Sequence, residues 1–235
     1  MNFVWATASH QGRIRANNED SFYPETDGRG DQPLLIAVAD GMGGHTAGEV
    51  ASRIAIEEAT ETTGNPERRV KTANEAILDA VLEKPSLASM GTTLTLAQLD
   101  PIGRVTIGHV GDSRAYLLRN GKLTQLTIDH SFVQEEIDAG RMTPEAARNH
   151  PNRGLITRVL GLARDVDVDI KRLRLLTDDR LLLCSDGLTG MIEHDEIATH
   201  LGQGSPSEVA WGLIEAANQA GGHDNITVVV VLIEP

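Results

Sequence analysis

The chain has 235 residues, which is long enough for one or two domains to bury a hydrophobic core without disulfide bonds. Acidic residues number 34 against 21 basic ones, and the resulting net charge of −13 argues against bulk attraction to nucleic acid or to an anionic membrane. A hydrophobic content of 40%, a single cysteine, no long apolar run and no secretory signal together predict a soluble, globular, cytoplasmic protein.

Apolar runs and apolar residues at helical spacing predict the regular elements along the chain. Strands are expected at 34–39, 92–99, 105–110, 115–118, 123–126, 166–170, 181–185 and 226–233, and helices at about 47–60, 66–82 and 205–221. The pair Asn120-Gly121 between two of these strands predicts a tight hairpin. At the start of the last helix, Ser205, Pro206 and Glu208 predict an N-cap followed by a capping box.

Residues 129–162 depart from this regular pattern, because short helical pieces alternate with a turn-rich stretch. We interpret the segment as an excursion from the sheets, with Phe132, Val133 and Ile137 as its apolar anchor. Elsewhere the chain has many strands, few long helices and no regular alternation of strand and helix. That pattern favours an α+β fold with two mainly antiparallel sheets and helices outside them.

Aspartates mark the ends of several predicted strands. Asp40, Asp112 and Asp186 each follow a strand beside a glycine, and Asp224 comes just before the last strand. Neighbouring antiparallel strands bring the end of one beside the start of the next, so these carboxylates could converge on one rim. Clustered carboxylates are costly to bury without a cation, and Mg²⁺ and Mn²⁺ prefer oxygen ligands. A simple turn explains any single Asp-Gly pair, so the metal hypothesis depends on the whole set.

A series of short motifs follows the order found in the metal-dependent protein phosphatases of the PPM/PP2C family, in their compact bacterial form. The motifs are Arg15-Ala16-Asn17-Asn18-Glu19-Asp20, Asp40-Gly41-Met42-Gly43-Gly44, Gly91-Thr92-Thr93, Gly108-His109-Val110-Gly111-Asp112-Ser113-Arg114, Ser185-Asp186-Gly187 and Gly222-His223-Asp224-Asn225-Ile226-Thr227. Each is weak alone, but the ordered set is specific, and the chain resembles this family over nearly its whole length. The resemblance implies one domain over 1–235, built as a four-layer α-β-β-α sandwich with a mobile flap at about 129–162.

The resemblance also implies a site for two Mn²⁺ or Mg²⁺ ions at one edge of the sandwich. Asp40 would bridge the two ions, and the carbonyl of Gly41 would bind the first. Asp186 and Asp224 would hold the second ion, while Asp20 would act through a water on the first.

Two further roles are implied by the same resemblance. Asp112, together with Asp186, would hold a third, weaker Mn²⁺ or Mg²⁺, and Arg15 stands where the family places its phosphate-binding arginine. The implied reaction is hydrolysis of phosphoserine and phosphothreonine in proteins. A metal-bridging hydroxide would attack phosphorus in line, without a covalent enzyme intermediate. The implied enzyme acts as a monomer on phosphorylated proteins or peptides, with no nucleic acid or membrane partner.

The general acid stays unassigned. Many eukaryotic members have a histidine directly after the Asp-Gly pair, where this chain has Met42. His45 is one substitute, and a metal-bound water is another. Two other functions also stay open: a catalytically inactive fold that binds a partner, and a metal-dependent phosphatase for a small phosphorylated metabolite.

Other polar residues are given structural roles. Cys184 lies in an apolar run, and Gly190 stands where a thiol phosphatase needs an arginine, so we expect an inert buried thiol. His109 lies inside an apolar strand and is expected to be packed and hydrogen-bonded, and Arg114 is expected to be a structural partner. For His130 a solvent-facing or structural position is expected, since it has no metal-ligand spacing.

Overall fold

The computed structural model describes residues 1–43 and 46–235 and consists of strands and helices in the following order. The strands are β1 Asn2–His10, β2 Asp20–Tyr23, β3 Gly28–Gly30, β4 Leu34–Met42, β5 Gly91–Thr92, β6 Leu94–Leu99, β7 Arg104–Val110, β8 Arg114–Arg119, β9 Lys122–Gln125, β10 Asp169–Arg174, β11 Arg180–Cys184 and β12 Ile226–Glu234. The helices are α1 Thr46–Glu61, α2 Pro66–Glu83, α3 Phe132–Asp138, α4 Pro144–Arg148, α5 Asp186–Thr189, α6 His194–Leu201 and α7 Pro206–Gln219, with a short 3₁₀ turn at Pro85–Leu87.

The strands form two antiparallel sheets. The first sheet has the order β3-β1-β12-β11-β8-β9, and the second has the order β10-β7-β6-β4-β2, with β5 added to β4. The hairpin predicted at Asn120-Gly121 is confirmed, since it joins β8 to β9 with both residues at positive φ. Ser205 and Glu208 form the predicted capping box at the start of α7.

The two sheets face each other across an apolar core, and helices cover their outer faces. Val229 and Val231 of β12 point into the core between the sheets, while Val228 and Val230 point toward α6 and α7. Because β12 is buried on both faces, its sequence is continuously apolar rather than alternating. Helices α1 and α2 cover the second sheet in the same way. The predicted α+β fold, an α-β-β-α sandwich, is confirmed.

Several sequence-based boundaries are wrong. The strand predicted at 34–39 continues as β4 to Met42, because Gly41 and Met42 pair with the short strand β5. The strand predicted at 166–170 is instead β10, which begins at Asp169 and pairs with β7. Val166 itself precedes the strand and packs into the core beneath α1 and α2, while Asp165 and Asp167 on either side of it are exposed.

The 129–162 segment carries the two short helices α3 and α4, whose N-caps are Ser131 and Thr143. Bridges between Ser131 and Ile156 and between Thr92 and Leu160 tie the base of the segment to itself and to β5. The two helices pack chiefly on each other, and the apolar side chains of α3 are only partly buried. Among residues 1–43 and 46–235, no helix is both long and apolar enough to cross a membrane.

Asn74 of α2 is the residue that holds the chain leaving this segment. Its Nδ2 donates to the carbonyl oxygens of Ala163 at 2.9 Å and Arg164 at 3.1 Å, and its Oδ1 accepts from the N–H of Gly161 at 2.8 Å. The side chain is 1% exposed, so water cannot replace these partners.

We expect Asn74→Ala to lower the free energy of unfolding by about 3 kcal/mol, because it leaves several buried backbone groups unpaired at about 1–3 kcal/mol each. Urea denaturation measures the change. The control is Glu75→Ala, since Glu75 is the exposed neighbour on the same helix and its loss should change stability by less than about 0.5 kcal/mol. A loss below about 1 kcal/mol for Asn74→Ala would contradict the anchoring role.

Candidate metal centre

Carboxylates from both sheets meet at one rim of the sandwich. Asp20 at the start of β2 lies directly opposite Asp40 in β4, since the two residues are register partners in the second sheet. From the first sheet, Asp186 begins α5 immediately after β11, and Asp224 precedes β12, which pairs with β11. Asp112 lies in the turn that leads from β7 in the second sheet to β8 in the first. The predicted convergence of the aspartates is therefore confirmed.

The electrostatics of the rim follow from burial and from mutual repulsion. Burial is the main cause that raises the pKa of Asp20 to about 7 and that of Asp112 to about 8, with Asp186 adding repulsion in both cases. Burial and then the charges of Asp20 and Asp186 raise the pKa of Asp40 well above its ordinary range. The pKa of Asp186 is raised by burial and by Asp224. This arrangement is unfavourable for ionised carboxylates unless a cation is present.

The donor set fits divalent cations. Asp20 Oδ1 and Asp112 Oδ1 are buried and find no hydrogen-bond partner within the described ranges 1–43 and 46–235. Orphaned carboxylate oxygens at a cluster of like charge are what an oxygen-binding ion would satisfy. Across the same described ranges, no group of three or more histidine, cysteine, aspartate or glutamate side chains already has ion-binding geometry.

Arg15 lies beside one of these carboxylates. Its Nη2 donates to Oδ2 of Asp224 at 2.6 Å, and the Arg15 and Asp224 side chains are 55% and 34% exposed. An exposed ion pair of this kind is worth at most about 1 kcal/mol, so Asp224 can exchange the guanidinium for a metal ion at little cost. The structure thus brings Arg15 to the rim, as predicted.

Gly41 and Met42 continue β4 past Asp40. A Cβ atom at Gly41 would collide with the backbone oxygens of Gly48 and Glu19, so only glycine lets α1 and the end of the 15–20 motif approach this strand. Met42 pairs with Gly91 and is partly buried. His45, the other residue weighed as a general acid, lies outside the described residues.

The backbone of Asp40 is held by two threonines. Its N–H donates to Thr93 Oγ1 at 2.9 Å, while its carbonyl oxygen accepts from Thr92 Oγ1 at 2.8 Å and from the Thr93 N–H at 2.9 Å. Thr93 Oγ1 also lies 2.8 Å from Ser113 Oγ, which links the strand to the Asp112 turn. All three hydroxyl side chains are fully buried.

Ser185 and Asn225 hold the other side of the rim. Ser185 Oγ donates to Asp20 Oδ2 at 2.8 Å and so joins the two sheets. Asn225 Nδ2 donates to the carbonyls of Gln11 and Asn17 at 2.9 Å each, and its Oδ1 accepts from the Glu19 N–H at 2.8 Å. Ser185 and Asn225 stand within two of the sequence motifs, which assign them no role of their own. Their supporting role could have been predicted from their position, because both are polar residues at the ends of apolar strands.

The histidines and Arg114 behave as structural groups. His109 donates through Nε2 to the carbonyl of Ile128 at 3.0 Å and bonds Thr95 through Nδ1 at 2.8 Å, and burial lowers its pKa to about 4. His130 is 7% exposed and accepts from the Gly111 N–H at 3.0 Å, so it is structural rather than solvent-facing. Arg114 forms a two-pronged ion pair with Asp129, with a shortest distance of 2.6 Å.

Cys184 is fully buried, and burial raises the pKa of its thiol to about 12. A thiol with so high a pKa is not a nucleophile near neutral pH. The prediction of an inert thiol is confirmed.

Comparison with known proteins places this chain in a family. The family described as Protein phosphatase 2C matches residues 8–205. The serine/threonine protein phosphatase PstP of Mycobacterium tuberculosis is 43% identical over 235 residues, covering 96% of this chain and 44% of PstP. The serine/threonine phosphatase Stp of Listeria welshimeri is 41% identical, covering 94% of this chain and 92% of Stp. A crystal structure of the PstP catalytic domain in complex with two manganese ions has a TM-score of 0.88 at 40% identity, with 100% of both chains covered.

The chain therefore belongs to the protein phosphatase 2C family, as its motifs predict. It spans less than half of PstP but nearly all of Stp.

The raised pKa of Asp112 predicts an unusual pH dependence of stability in the metal-free protein. The folded state binds a proton at about pH 8 that the unfolded chain holds only below its ordinary pKa of 3.8. This contribution to stability is therefore complete below about pH 3.8 and is lost as the pH rises toward 8. The neutral variant Asp112→Asn removes the part of the pH dependence that Asp112 contributes.

In EDTA, we expect the Tm of Asp112→Asn minus that of wild type to rise by at least about 3 °C between pH 5.5 and pH 8.5, which is about 1 kcal/mol for a domain of this size. Thermal melts followed by circular dichroism measure it. Asp138→Asn, at an exposed aspartate, is the matched control and should show no such rise. A constant difference for Asp112→Asn across this pH range would show that Asp112 ionises normally.

Proposed function

We propose that this chain is a Mn²⁺- or Mg²⁺-dependent phosphatase that hydrolyses phosphoserine and phosphothreonine in proteins. The observation that carries the proposal is the convergence of otherwise unfavourable aspartates on one rim with Arg15 beside them. The relatives PstP and Stp are named serine/threonine phosphatases, and the PstP catalytic domain binds two manganese ions, which supports the same chemistry here.

In this proposal each rim residue has a role toward the ions. Asp40 would contribute to holding both ions, the Gly41 carbonyl would contribute to the first, and Asp186 and Asp224 would hold the second. When bound, the ions lower the pKa of water and balance the negative charge of the phosphate. Asp20 offers Oδ1 to a nearby water, because its Oδ2 already accepts from the Ser185 hydroxyl.

We also propose that Asp112 and Asp186 share a third, weaker ion. Asp112 Oδ1 is buried without a partner among the described residues, and the charge of Asp186 helps to raise the pKa of Asp112. Both carboxylates line a groove of about 640 Å³ whose wall also includes residues of α3 and α4. A site with fewer protein oxygens binds its ion less tightly and retains more water.

Side chains of the protein itself bind the phosphate and determine which nucleophile can attack phosphorus. Arg15 presents a planar fork that matches two phosphate oxygens once Asp224 releases it. The nearby hydroxyls of Ser113 and Ser185 are engaged with Thr93 and Asp20, and the thiol of Cys184 is inert. These contacts favour direct attack by water on phosphorus over a covalent enzyme intermediate.

We further propose that 1–235 is one domain and that the 129–162 segment is a flap that moves over the site. The support is that α3 and α4 pack chiefly on each other while the base of the segment is tied down by bridges. The monomeric state and the cytoplasmic location stay predictions from the sequence.

The deciding experiment compares Mn²⁺-dependent hydrolysis of phosphothreonine peptides, p-nitrophenyl phosphate and a panel of phosphorylated metabolites. We expect turnover of the peptides and of p-nitrophenyl phosphate that EDTA abolishes. Turnover confined to one metabolite would favour a metabolic phosphatase. Failure to turn over any of these substrates at saturating Mn²⁺ would favour a fold that only binds a partner.

The metal role of Asp186 gives a sharper expectation. Asp186→Asn keeps the size of the side chain but removes its charge, so we expect kcat for p-nitrophenyl phosphate to fall by about 100-fold or more, while the Tm of the EDTA-treated protein is maintained or raised. Asp40→Asn and Asp224→Asn should behave alike. The matched control is Asp79→Asn, because Asp79 is exposed on α2, a helix that carries none of the rim residues. Near-normal turnover of Asp186→Asn at saturating Mn²⁺ would exclude it as a ligand.

Arg15 should affect substrate affinity more than the chemical step. We expect Arg15→Ala to raise KM for phosphopeptides about 10-fold with a smaller fall in kcat, because the guanidinium holds phosphate in both the ground and the transition state. The affinity for Mn²⁺ should hardly change. The control is Arg29→Ala, because Arg29 forms a similar exposed 2.6 Å ion pair with Glu234 away from the rim. Loss of Mn²⁺ binding with an unchanged KM would assign Arg15 to the metal centre instead.

A further inference from the structure

A second cavity, of about 420 Å³, lies where α7 packs beside the end of β1. It shares no lining residue with the groove that contains Asp112 and Asp186. Its volume is in the range of sites that hold a small organic ligand. The lining consists of one face of α7 and the chain at the end of β1, with the residues His10, Arg13, Trp211, Ile214, Glu215 and Asn218.

Trp211 gives this cavity an aromatic wall. The side chain is 54% exposed, although tryptophan is highly buried on average, and its Nε1 forms no hydrogen bond within the described part of the chain. Ile214, one turn further along α7, also lines the cavity and is only 3% exposed, so it lies at the base. An accessible indole face beside an aliphatic base binds flat rings by stacking.

Asn218 supplies a hydrogen-bonding edge to the same cavity. The residue is 8% exposed, and its Oδ1 is buried with no partner in the ranges 1–43 and 46–235. Its Nδ2 makes no hydrogen bond to the described residues either. Buried amides without partners are uncommon, because each unmade hydrogen bond costs free energy. An adenine ring matches this amide, since it presents an N–H donor on its exocyclic amine beside the acceptor N7.

Arg13 lies next to this amide and brings a positive charge to the cavity. A Cβ atom added at Gly222 would lie 2.6 Å from Asn218 Oδ1 and 3.1 Å from Arg13 Cγ, so the arginine stem lies close to the amide oxygen. The Arg13 side chain is exposed and forms no ion pair with any described residue. It can therefore swing away from Asn218 and bind an anionic group at the mouth of the cavity.

The other polar residues of the lining leave that charge available. Glu215 Oε1 accepts from Gln219 Nε2 at 3.0 Å, and among the described residues Glu215 forms no ion pair with Arg13. His10 Nδ1 accepts from the Gly12 N–H at 2.9 Å, so Nε2 carries the proton of the neutral ring and can donate it in a hydrogen bond. The cavity thus offers an anion both a guanidinium and an imidazole N–H.

We propose that this cavity binds an adenine nucleotide, with the ring stacked on Trp211 and paired with Asn218 and with the phosphate held by Arg13. A flat ring alone has no use for the unpaired guanidinium, and a phosphate alone has no use for the indole or the amide. A ring that carries a phosphate uses all three groups. The proposal does not depend on the phosphatase reaction, because the lining contains neither Arg15 nor any of the proposed metal ligands.

The test follows the fluorescence of Trp211 in EDTA, which keeps nucleotide phosphates from binding through metal ions at the rim. The chain has two tryptophans, so Trp5→Phe leaves Trp211 as the single indole. We expect saturable quenching by AMP with an affinity about 10-fold higher than for GMP, because guanine presents two acceptors where adenine presents a donor and an acceptor. Ribose 5-phosphate should not quench. Calorimetry on the unmodified chain measures the same affinities if Trp5→Phe does not fold.

Two outcomes of this titration would contradict the proposal. Absence of saturable AMP binding in both measurements would overturn the site. Equal affinities for AMP and GMP would overturn the pairing of the ring with Asn218.

Variants of the lining connect binding to this cavity. Arg13→Ala should lower the affinity for AMP about 10-fold and leave that for adenosine unchanged, because only the phosphate uses the guanidinium. Trp211→Ala, followed by calorimetry, should lower both affinities about 10-fold. Arg68→Ala is the matched control, because Arg68 is an exposed arginine on α2 outside the cavity. AMP binding that persists in both cavity variants but is lost in Arg15→Ala would place the nucleotide at the metal rim and overturn the proposal.

Discussion

Repulsion among buried carboxylates is the constraint on which the rest of this structure depends. The rim collects aspartates from both sheets, and burial together with their mutual charge raises the pKa of each of Asp20, Asp40, Asp112 and Asp186. A protein without a cation there would gain stability by replacing any of them with a neutral residue. Their presence together is therefore a sign of ligand binding rather than of folding.

The cost of that cluster is offset by a layer of buried hydrogen bonds behind it. Thr92 and Thr93 fix the backbone of Asp40 from the second sheet, and Ser185 and Asn225 connect the first sheet to the chain before β2. These groups are uncharged and fully paired, so they set the positions of the carboxylates without adding charge. The rim is consequently built between two rigid sheets, whereas the wall of the groove formed by α3 and α4 has no comparable support.

The sequence predicted most of the fold and nearly all of the rim, for reasons that differ from element to element. Strand β12 was found because it is buried on both faces and reads as an unbroken apolar run. Strand β1 was missed, since Phe3 and Ala6 face different parts of the core and leave no clear alternation. Helix α6 was missed because only Ile197 and Leu201 mark its buried face.

The motifs located the aspartates, but they did not reveal how the site is supported or extended. The exchangeable contact between Arg15 and Asp224 depends on side chains far apart in sequence, as does the pair between Arg148 and Glu193. Periodicity reports which face of an element is buried and carries no information on a gap between two elements. The groove beside Asp112 could therefore be seen only in three dimensions.

The pairing of β1 with β12 has a consequence for how the molecule is made. The first strand of the chain lies against the last one along a register that runs from Asn2 opposite Glu234 to His10 opposite Ile226. Until β12 pairs between them, β1 and β11 leave the backbone N–H and C=O groups of their facing edges unpaired. The same closing step brings the Asp224 loop against Gly12 and Arg13. The rim is therefore assembled from both sides only when β12 is paired between β1 and β11, because the Asp224 loop leads directly into that strand.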